Sequence, residues 1–323
     1  MRRILITGGA GFIGSNFIRY FMNRHSDYRV VNLDKLTYAG NKNNLRDIKK
    51  DPRYSFIKGD ICDAKAVKKA ARGCDAIINF AAESHVDRSI KRPFDFLRTN
   101  IDGTCTLLEA AREMKIPRFI QISTDETYGS IEKGYFRETG PLNPSSPYAA
   151  SKAAGDLLCN AYQLTYKVPV IIVRSTNNFG EYQYPEKVIP LFITNALEEK
   201  KLPVYADGSN MRDWIYVLDN CEAIDCVFRC GKAGEIYNIG GGNEMRNIDL
   251  TRLILKAAEK SESLIQFVQD RPGHDKRYGI NCDKIKSLGW RPHYDFNKAL
   301  FATVAWYKKN EWWWRPLKES RVT

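Results

Sequence analysis

The chain has 323 residues, 43% hydrophobic and 27% charged, which is enough apolar material for a large core and too much for a disordered chain. Its formal net charge of +12 raises a polyanionic partner, but the basic residues are spread out. The densest group, Lys65, Lys68, Lys69 and Arg72, has the spacing of one solvated helix face, so no nucleic-acid partner is expected. The eight cysteines contain no CxxC pair, and Cys226 and Cys230 fall at a helical spacing with no His nearby. Neither zinc nor a disulfide framework is expected. The apolar run after Met1-Arg2-Arg3 is too short for an export signal, and no stretch approaches the ~18 apolar residues of a membrane span. The expectation is a cytoplasmic protein with no membrane contact.

Short runs rich in Ile, Val and Phe at 4–7, 30–34, 55–59, 76–82, 119–123 and 170–174 predict buried strands. Amphipathic segments at 13–21, 64–71, 100–114 and 149–166 predict helices between them. This alternation implies an α/β fold with a doubly wound parallel sheet of the Rossmann type. Beyond residue 180 the pattern loosens at Pro185, Pro190, Pro203 and Gly208. Segments 214–217 and 235–239 then read as strands, and 249–260 and 297–309 as helices. The division expected is a first domain over 1–179, to which the chain returns near 214–239, and a smaller α/β substrate lobe mainly over 180–323. The run Trp312-Trp313-Trp314 predicts packing of the tail against the lobe or a partner subunit.

The stretch Thr7-Gly8-Gly9-Ala10-Gly11-Phe12-Ile13-Gly14 follows the first strand and opens the first helix. Gly8, Gly11 and Gly14 allow a tight turn whose N–H groups approach a pyrophosphate at the positive end of the helix. Asp34 ends the second strand, where a carboxylate accepts both ribose hydroxyls and repels a 2′-phosphate. NAD is therefore expected over NADP, with the adjacent Lys35 arguing the other way.

Tyr148 and Lys152 form a YxxxK pair, with Ser146 suited to N-cap a helix and Pro147 to begin it. A spacing of four puts both side chains on one face, and the ammonium together with a positive nicotinamide is expected to lower the phenol's pKa. Ser123-Thr124 ends a strand between the two motifs. Asp125 and Glu126 follow at once; two carboxylates exceed what a redox enzyme or an epimerase needs, but supply one base and one acid for a dehydration.

These residues identify a member of the extended short-chain dehydrogenase/reductase family, and the chain resembles its dTDP-glucose 4,6-dehydratases over nearly its whole length. The resemblance is carried by Leu33-Asp34-Lys35-Leu36-Thr37-Tyr38-Ala39-Gly40-Asn41, Ala81-Ala82-Glu83-Ser84-His85-Val86-Asp87-Arg88-Ser89, and Ser123-Thr124-Asp125-Glu126. In the second half the matches are Asn177-Asn178-Phe179-Gly180, Tyr184-Pro185-Glu186-Lys187, Arg212-Asp213-Trp214, and Asp270-Arg271-Pro272-Gly273-His274-Asp275. Thr127 and Phe179 depart from the usual Val and Tyr.

The resemblance implies a reaction in which Tyr148 takes the 4-hydroxyl proton as C4 is oxidised, and Lys152 and Thr124 hold the reacting groups. Glu126 then removes the C5 hydrogen, Asp125 protonates the departing 6-hydroxyl, and the hydride returns to C6. NAD is recycled and stays tightly bound. The cofactor set it implies is Gly8, Gly11, Phe12, Ile13, Gly14, Asp34, Lys35, Leu36, Thr37, Asp60, Ile61, Phe80, Ala81, Ala82, Ser84, Thr99, Tyr148, Lys152 and Asn178. For the nucleotide sugar it implies Ser84, Thr124, Asn177, Lys187, Val188, Arg212, Asn247, Asp270, Arg271, Pro272, Gly273 and His274. Pro203, Val204 and Tyr205 are expected to line the base, and Lys187, Arg212 and Arg271 to meet the diphosphate. His85 and His274 are isolated, so no metal is expected. A homodimer through a four-helix bundle of helices 100–114 and 149–166 follows from the same resemblance. Open alternatives are a UDP-sugar dehydratase, a nucleotide-sugar 4-epimerase, and a non-catalytic NAD-binding protein.

Overall fold

Seven parallel strands form the spine of the computed structural model, which describes residues 1–319. In chain order the first half runs β1 (Arg2–Thr7), α1 (Phe12–Arg24), β2 (Tyr28–Asp34), β3 (Tyr54–Lys58), α2 (Ala64–Ala71), β4 (Ala76–Asn79), α3 (Val86–Lys91), α4 (Pro93–Leu97), α5 (Gly103–Glu113), β5 (Phe119–Thr124), α6 (Pro147–Tyr166) and β6 (Val170–Ser175). The second half runs β7 (Asn177–Phe179), α7 (Val188–Leu197), β8 (Leu202–Tyr205), β9 (Met211–Tyr216), α8 (Val217–Cys230), β10 (Ile236–Ile239), β11 (Glu244–Arg246), α9 (Asn247–Ala258), β12 (Ile265–Val268), α10 (Asp283–Lys286), α11 (Phe296–Lys309) and α12 (Glu311–Glu319). The main sheet is ordered β3-β2-β1-β4-β5-β6-β10. Strand order reverses between β1 and β4, which opens a crevice above the carboxyl ends of the strands.

The strands are apolar on both faces because helices cover both. Ile4 and Ile6 of β1 pack with Phe17 and Phe21 of α1 and Ile224 of α8. Leu5, pointing the other way, packs with Val67 of α2 and Leu107 of α5. After the excursion into the lobe, β10 pairs with β6 at the sheet edge, and Phe228 of α8 meets Phe21 edge-on, centroids 5.5 Å apart. The lobe holds a three-stranded sheet, β11-β9-β7, and a pair, β12-β8. Phe179, Ile193, Trp214, Leu250 and Leu300 share its core. Within the expected 180–323 lobe, residues 320–323 lie outside the described residues.

Several elements differ from expectation. The strand expected over 76–82 stops at Asn79, where its register with β1 ends at Thr7. The buried Asn79 amide turns instead to Thr7 and Gln121, at 2.6 and 2.8 Å. The helix expected from residue 100 begins at Gly103, after a π-turn over 98–102. Helices α7 and α8 were not expected. Pro190 sits in the first turn of α7, where no intrahelical N–H is required, so it does not break the helix. In α8 the apolar stripe Val217, Cys221, Ile224 and Phe228 continues a strand without any side-chain cap to mark the junction. The tryptophan run lies in α12: Trp314 is fully buried, and Trp313 donates to Asn44 Oδ1 in the first domain at 2.8 Å.

Candidate active site

The crevice above the sheet is a cavity of about 330 Å3 walled by the glycine turn, the carboxyl ends of β2, β4, β5 and β6, and the lobe segment before α7. Gly8 has φ +67°, and a Cβ there would fall 2.6 Å from the Ala81 backbone nitrogen, so only glycine brings β1 this close to the segment after β4. Gly11 caps α1 with no side-chain acceptor, leaving the first-turn N–H groups for an anion in the cleft. The Asp34 carboxylate accepts from Ala10 and Leu36 backbone N–H at 2.9 and 2.7 Å. These bonds hold it at the rim while burial raises its pKa. Lys35, the residue that spoke for a 2′-phosphate, is paired with Asp60 at 2.8 Å.

Thr124 ends β5 and caps the tight turn Asp125–Tyr128, its hydroxyl accepting from Glu126 N–H at 3.3 Å. Thr127 is buried and donates to the Thr124 carbonyl at 2.8 Å, so its hydroxyl is satisfied inside the turn. Across the cleft, Ser146 caps α6 and Pro147 opens it, which places Tyr148 in the first turn and Lys152 one turn later. The Lys152 ammonium donates to the Ile122 carbonyl at 2.6 Å. Behind the pair, Asp156 of α6 accepts from Arg174 of β6 at 2.8 Å, with both side chains out of solvent.

The two carboxylates differ in surroundings. Asp125 is 2% exposed; burial, then Glu126 and Asp213, hold its pKa well above the usual carboxylate range. Burial also raises Glu126, but the charges of Lys187, Arg212 and Arg271 pull against it. Of the pair, Asp125 is held more firmly towards its protonated form, and Glu126 is drawn back towards its charged one. Burial, then the Glu126 carboxylate, raise the Tyr148 phenol, against a hydrogen bond from Thr124. The expected lowering by Lys152 is not among the influences on Tyr148. Its ammonium is directed to Ile122, and burial lowers its own pKa.

Five buried side-chain atoms around the crevice have no hydrogen-bond partner among the described residues: Asp125 Oδ2, Asn177 Oδ1, Asn178 Oδ1, Gln183 Oε1 and Trp214 Nε1. All belong to residues lining the cavity. Such a concentration is what a polar ligand would satisfy, and with the glycine turn and Asp34 it fits a dinucleotide.

The model of the family described as GDP-mannose 4,6 dehydratase matches residues 5–303. The chain belongs to this family of 4,6-dehydratases. It is 53% identical over 304 residues to the low-salt glycan biosynthesis protein Agl12 of Haloferax volcanii, covering 94% of this chain and 98% of that one. It is 50% identical over 321 residues to a dTDP-glucose 4,6-dehydratase of Streptomyces niveus, covering 98% and 96%. Among solved structures, DesIV, a dTDP-glucose 4,6-dehydratase of Streptomyces venezuelae with NAD and TYD bound, superposes with a TM-score of 0.96 at 49% identity, covering 98% and 99%.

In this 4,6-dehydratase, the expected cofactor residues Gly8, Gly11, Phe12, Ile13, Gly14, Asp34, Lys35, Thr37, Asp60, Ile61, Phe80, Ala81, Ala82, Ser84, Thr99 and Asn178 all line the cavity. So do Thr124, Asp125, Glu126, Tyr148, Lys152, Asn177, Lys187 and Val188. Leu36 does not; it turns away at φ +58°. Val204 also departs from expectation. Along β8, Leu202 and Val204 point into the lobe core, while Pro203 and Tyr205 face the other way. Tyr205 reaches Asp87 at 3.3 Å, Arg271 reaches Asp87 at 3.4 Å, and His274 bonds Asp270 at 2.6 Å, so Asp270, Arg271 and His274 gather with Tyr205 beside α3. Pro272 and Gly273 form the turn between them, Gly273 at φ +63°. Arg212 is held by the Asp275 carbonyl at 2.9 Å. Asn247 lies outside the lining, its backbone N–H on Asn210 in the first turn of α9. Lining residues missed by sequence reasoning include Ser175, Thr176, Gln183, Tyr184, Glu186 and Trp214. Ser175 stands in register with Thr124 on the neighbouring strand, so the rule that ligands sit at strand carboxyl ends signals it.

No helix among the described residues is long and apolar enough to cross a membrane.

Proposed function

We propose that the chain is a dTDP-glucose 4,6-dehydratase, which converts dTDP-glucose to the 4-keto-6-deoxy sugar and water with NAD regenerated at each turnover. The observation that carries this is the Asp125–Glu126 pair beside Tyr148: adjacent carboxyls of different environment, one kept protonated by burial, one drawn towards ionisation by three cations. An epimerase needs neither.

Gly8, Gly11, Gly14, Asp34 and Asn178 hold the cofactor, and the Lys35–Asp60 pair leaves Asp34 to select NAD. When bound, NAD+ takes up and returns the hydride whose loss from C4 acidifies the C5 hydrogen. Tyr148 receives the 4-hydroxyl proton, steadied by Thr124, and Lys152, one turn further along α6, adds positive charge to this side of the cleft. Glu126 removes the C5 proton while Asp125 delivers its own to the leaving 6-hydroxyl, which departs as water; Glu126 then returns its proton to C5 as C6 receives the hydride, and the proton that Tyr148 took from the 4-hydroxyl resets Asp125. Lys187, Arg212 and Arg271 take the diphosphate, Asn177 the sugar, and Pro203 and Tyr205 the base.

The chain works as a homodimer through a four-helix bundle of α5 and α6 from two copies. Leu157 and Leu164 of α6, two turns apart, are 58% and 68% exposed and supply an apolar stripe for that contact. Eight cysteines, all free thiols, suit the reducing cytoplasm.

The test is incubation with dTDP-glucose and, separately, UDP-glucose, following the alkaline absorbance of the 4-keto-6-deoxy product. Product from dTDP-glucose at the higher kcat/KM is expected. No product from either sugar, with NAD bound, overturns the dehydratase reading.

A further inference from the structure

Three segments that wall the cleft meet in a cluster that the chemistry above does not use. Tyr38 belongs to the loop after β2, between the lining residues Thr37 and Ala39. Arg88 stands on α3, just past the lining residues Glu83 and Ser84. Glu186 comes from the lobe, its side chain 2% exposed. The Tyr38 hydroxyl donates to Glu186 Oε1 at 2.7 Å, and Arg88 Nε lies 3.3 Å from Oε2. The Arg88 guanidinium also covers the Tyr38 ring, 3.6 Å from its centroid. Beside them the Lys187 ammonium donates to the Ser84 carbonyl, a second bond from the lobe to the segment after β4.

A carboxylate buried this far is tolerated only when both oxygens are met by donors. Two of its donors, Tyr38 and Arg88, come from two different walls of the first domain, with His85 Nε2 3.8 Å from Oε2 beside Arg88, so the lobe is held against both walls at once. Parting the walls breaks the Tyr38 and Arg88 contacts to Glu186 in a single event. We infer that Tyr38, Arg88 and Glu186 form a clasp that retains the dinucleotide in the cleft between turnovers. This rests on the reading that a dinucleotide occupies the cleft. A cofactor regenerated at each cycle gains nothing from leaving, and a clasp acts on its departure rather than on the reaction.

The test measures NAD release from the loaded full-length chain, by exchange against excess fluorescent etheno-NAD. Tyr38→Phe removes one hydrogen bond and keeps the ring under Arg88; Glu186→Gln keeps the shape and removes the charge. Tyr38→Phe is expected to release NAD about tenfold faster, the equivalent of about 1.4 kcal/mol. Glu186→Gln is expected to do so at least as fast, and the KM for dTDP-glucose in Tyr38→Phe to stay within about twofold, since affinity changes of this kind fall mainly on dissociation. If the unaltered chain holds no NAD, the cofactor reading itself fails. If it holds NAD and both variants release it at the parental rate, the clasp is overturned. A raised KM with unchanged NAD release overturns it too, because the cluster would then serve the sugar.

Discussion

Replacing Arg174 by Met tests whether the pair behind Lys152 organises the site. Arg174 is 2% exposed and Asp156 fully buried, with Nε and Oδ2 2.8 Å apart. Arg174 also lies over the ring of Tyr128, 4.6 Å from its centroid, and Tyr128 ends the turn that carries Asp125 and Glu126. Removing one member of a buried pair strands the other and costs about 3–5 kcal/mol. At about 2.1 cal/mol/K per residue, 323 residues unfold with an entropy of about 0.7 kcal/mol/K, so Tm should fall by about 4–7 °C. Asp156→Leu combined with Arg174→Met replaces the pair by apolar groups and should recover at least half of that loss. Calorimetry on the parent, both single variants and the double variant closes the cycle. Activity should not recover with stability, because Asp156 is the charge that favours the protonated form of Lys152 most strongly. A Tm within about 1 °C of the parent for Arg174→Met, or a double variant that loses the sum of both singles, would refute the pair as a coupled unit.

Two further expectations concern the carboxylates. Glu126→Gln should still allow C4 oxidation but lose about 10²–10⁴-fold in water release, with the absorbance of the reduced cofactor persisting and no C5 exchange from deuterated solvent; dehydration at the parental rate would remove Glu126 from its role. For Asp125 the sign is set by burial: its folded pKa stands above the ordinary aspartate value of 3.8, so its contribution to stability is present below that value and lost as pH rises through the folded one. Asp125→Asn should therefore gain in Tm over the parent as pH rises from about 4, while losing about 10²–10⁴-fold in kcat. A Tm difference that does not change with pH would show that Asp125 ionises normally in the fold.

The parts legible in the sequence were those whose signal is local. The glycine turn, Ser146 before Pro147, and Tyr148 four residues from Lys152 are specified by neighbours in the chain, and each took the expected form. What was not legible depends on distant contacts. Nothing in its neighbourhood says that Lys152 will donate to a carbonyl of β5. Val204 faces the core because Leu202 sets the inward face of a four-residue strand, too short for its alternation to stand out. The strand–helix junction at β9 and α8 has no cap residue, so an unbroken apolar run concealed a 14-residue helix. Glu186 was quoted only as part of a motif, since its partners Tyr38 and Arg88 lie far away in sequence.

The separation of the two carboxylates shows how the fold turns a reversible oxidation into an elimination. Asp125 and Glu126 are consecutive on one turn of the first domain, and burial raises the pKa of both. The difference comes from the lobe: Lys187, Arg212 and Arg271 all arrive from beyond β6, and all bias Glu126 towards its charged form. Asp125 receives Asp213 from the lobe instead, and Arg212 weighs less on it than burial, Glu126 or Asp213. On the proposed reading the cations that draw Glu126 towards its charged form also meet the diphosphate, so binding the nucleotide redistributes the charge around Glu126. Phosphate oxygens that draw on Lys187 and Arg271 weaken their hold and leave Glu126 more basic when the sugar is in place. On that reading proton abstraction at C5 depends on occupancy of the lobe, whereas oxidation at C4 draws on Tyr148, Lys152 and the glycine turn of the first domain.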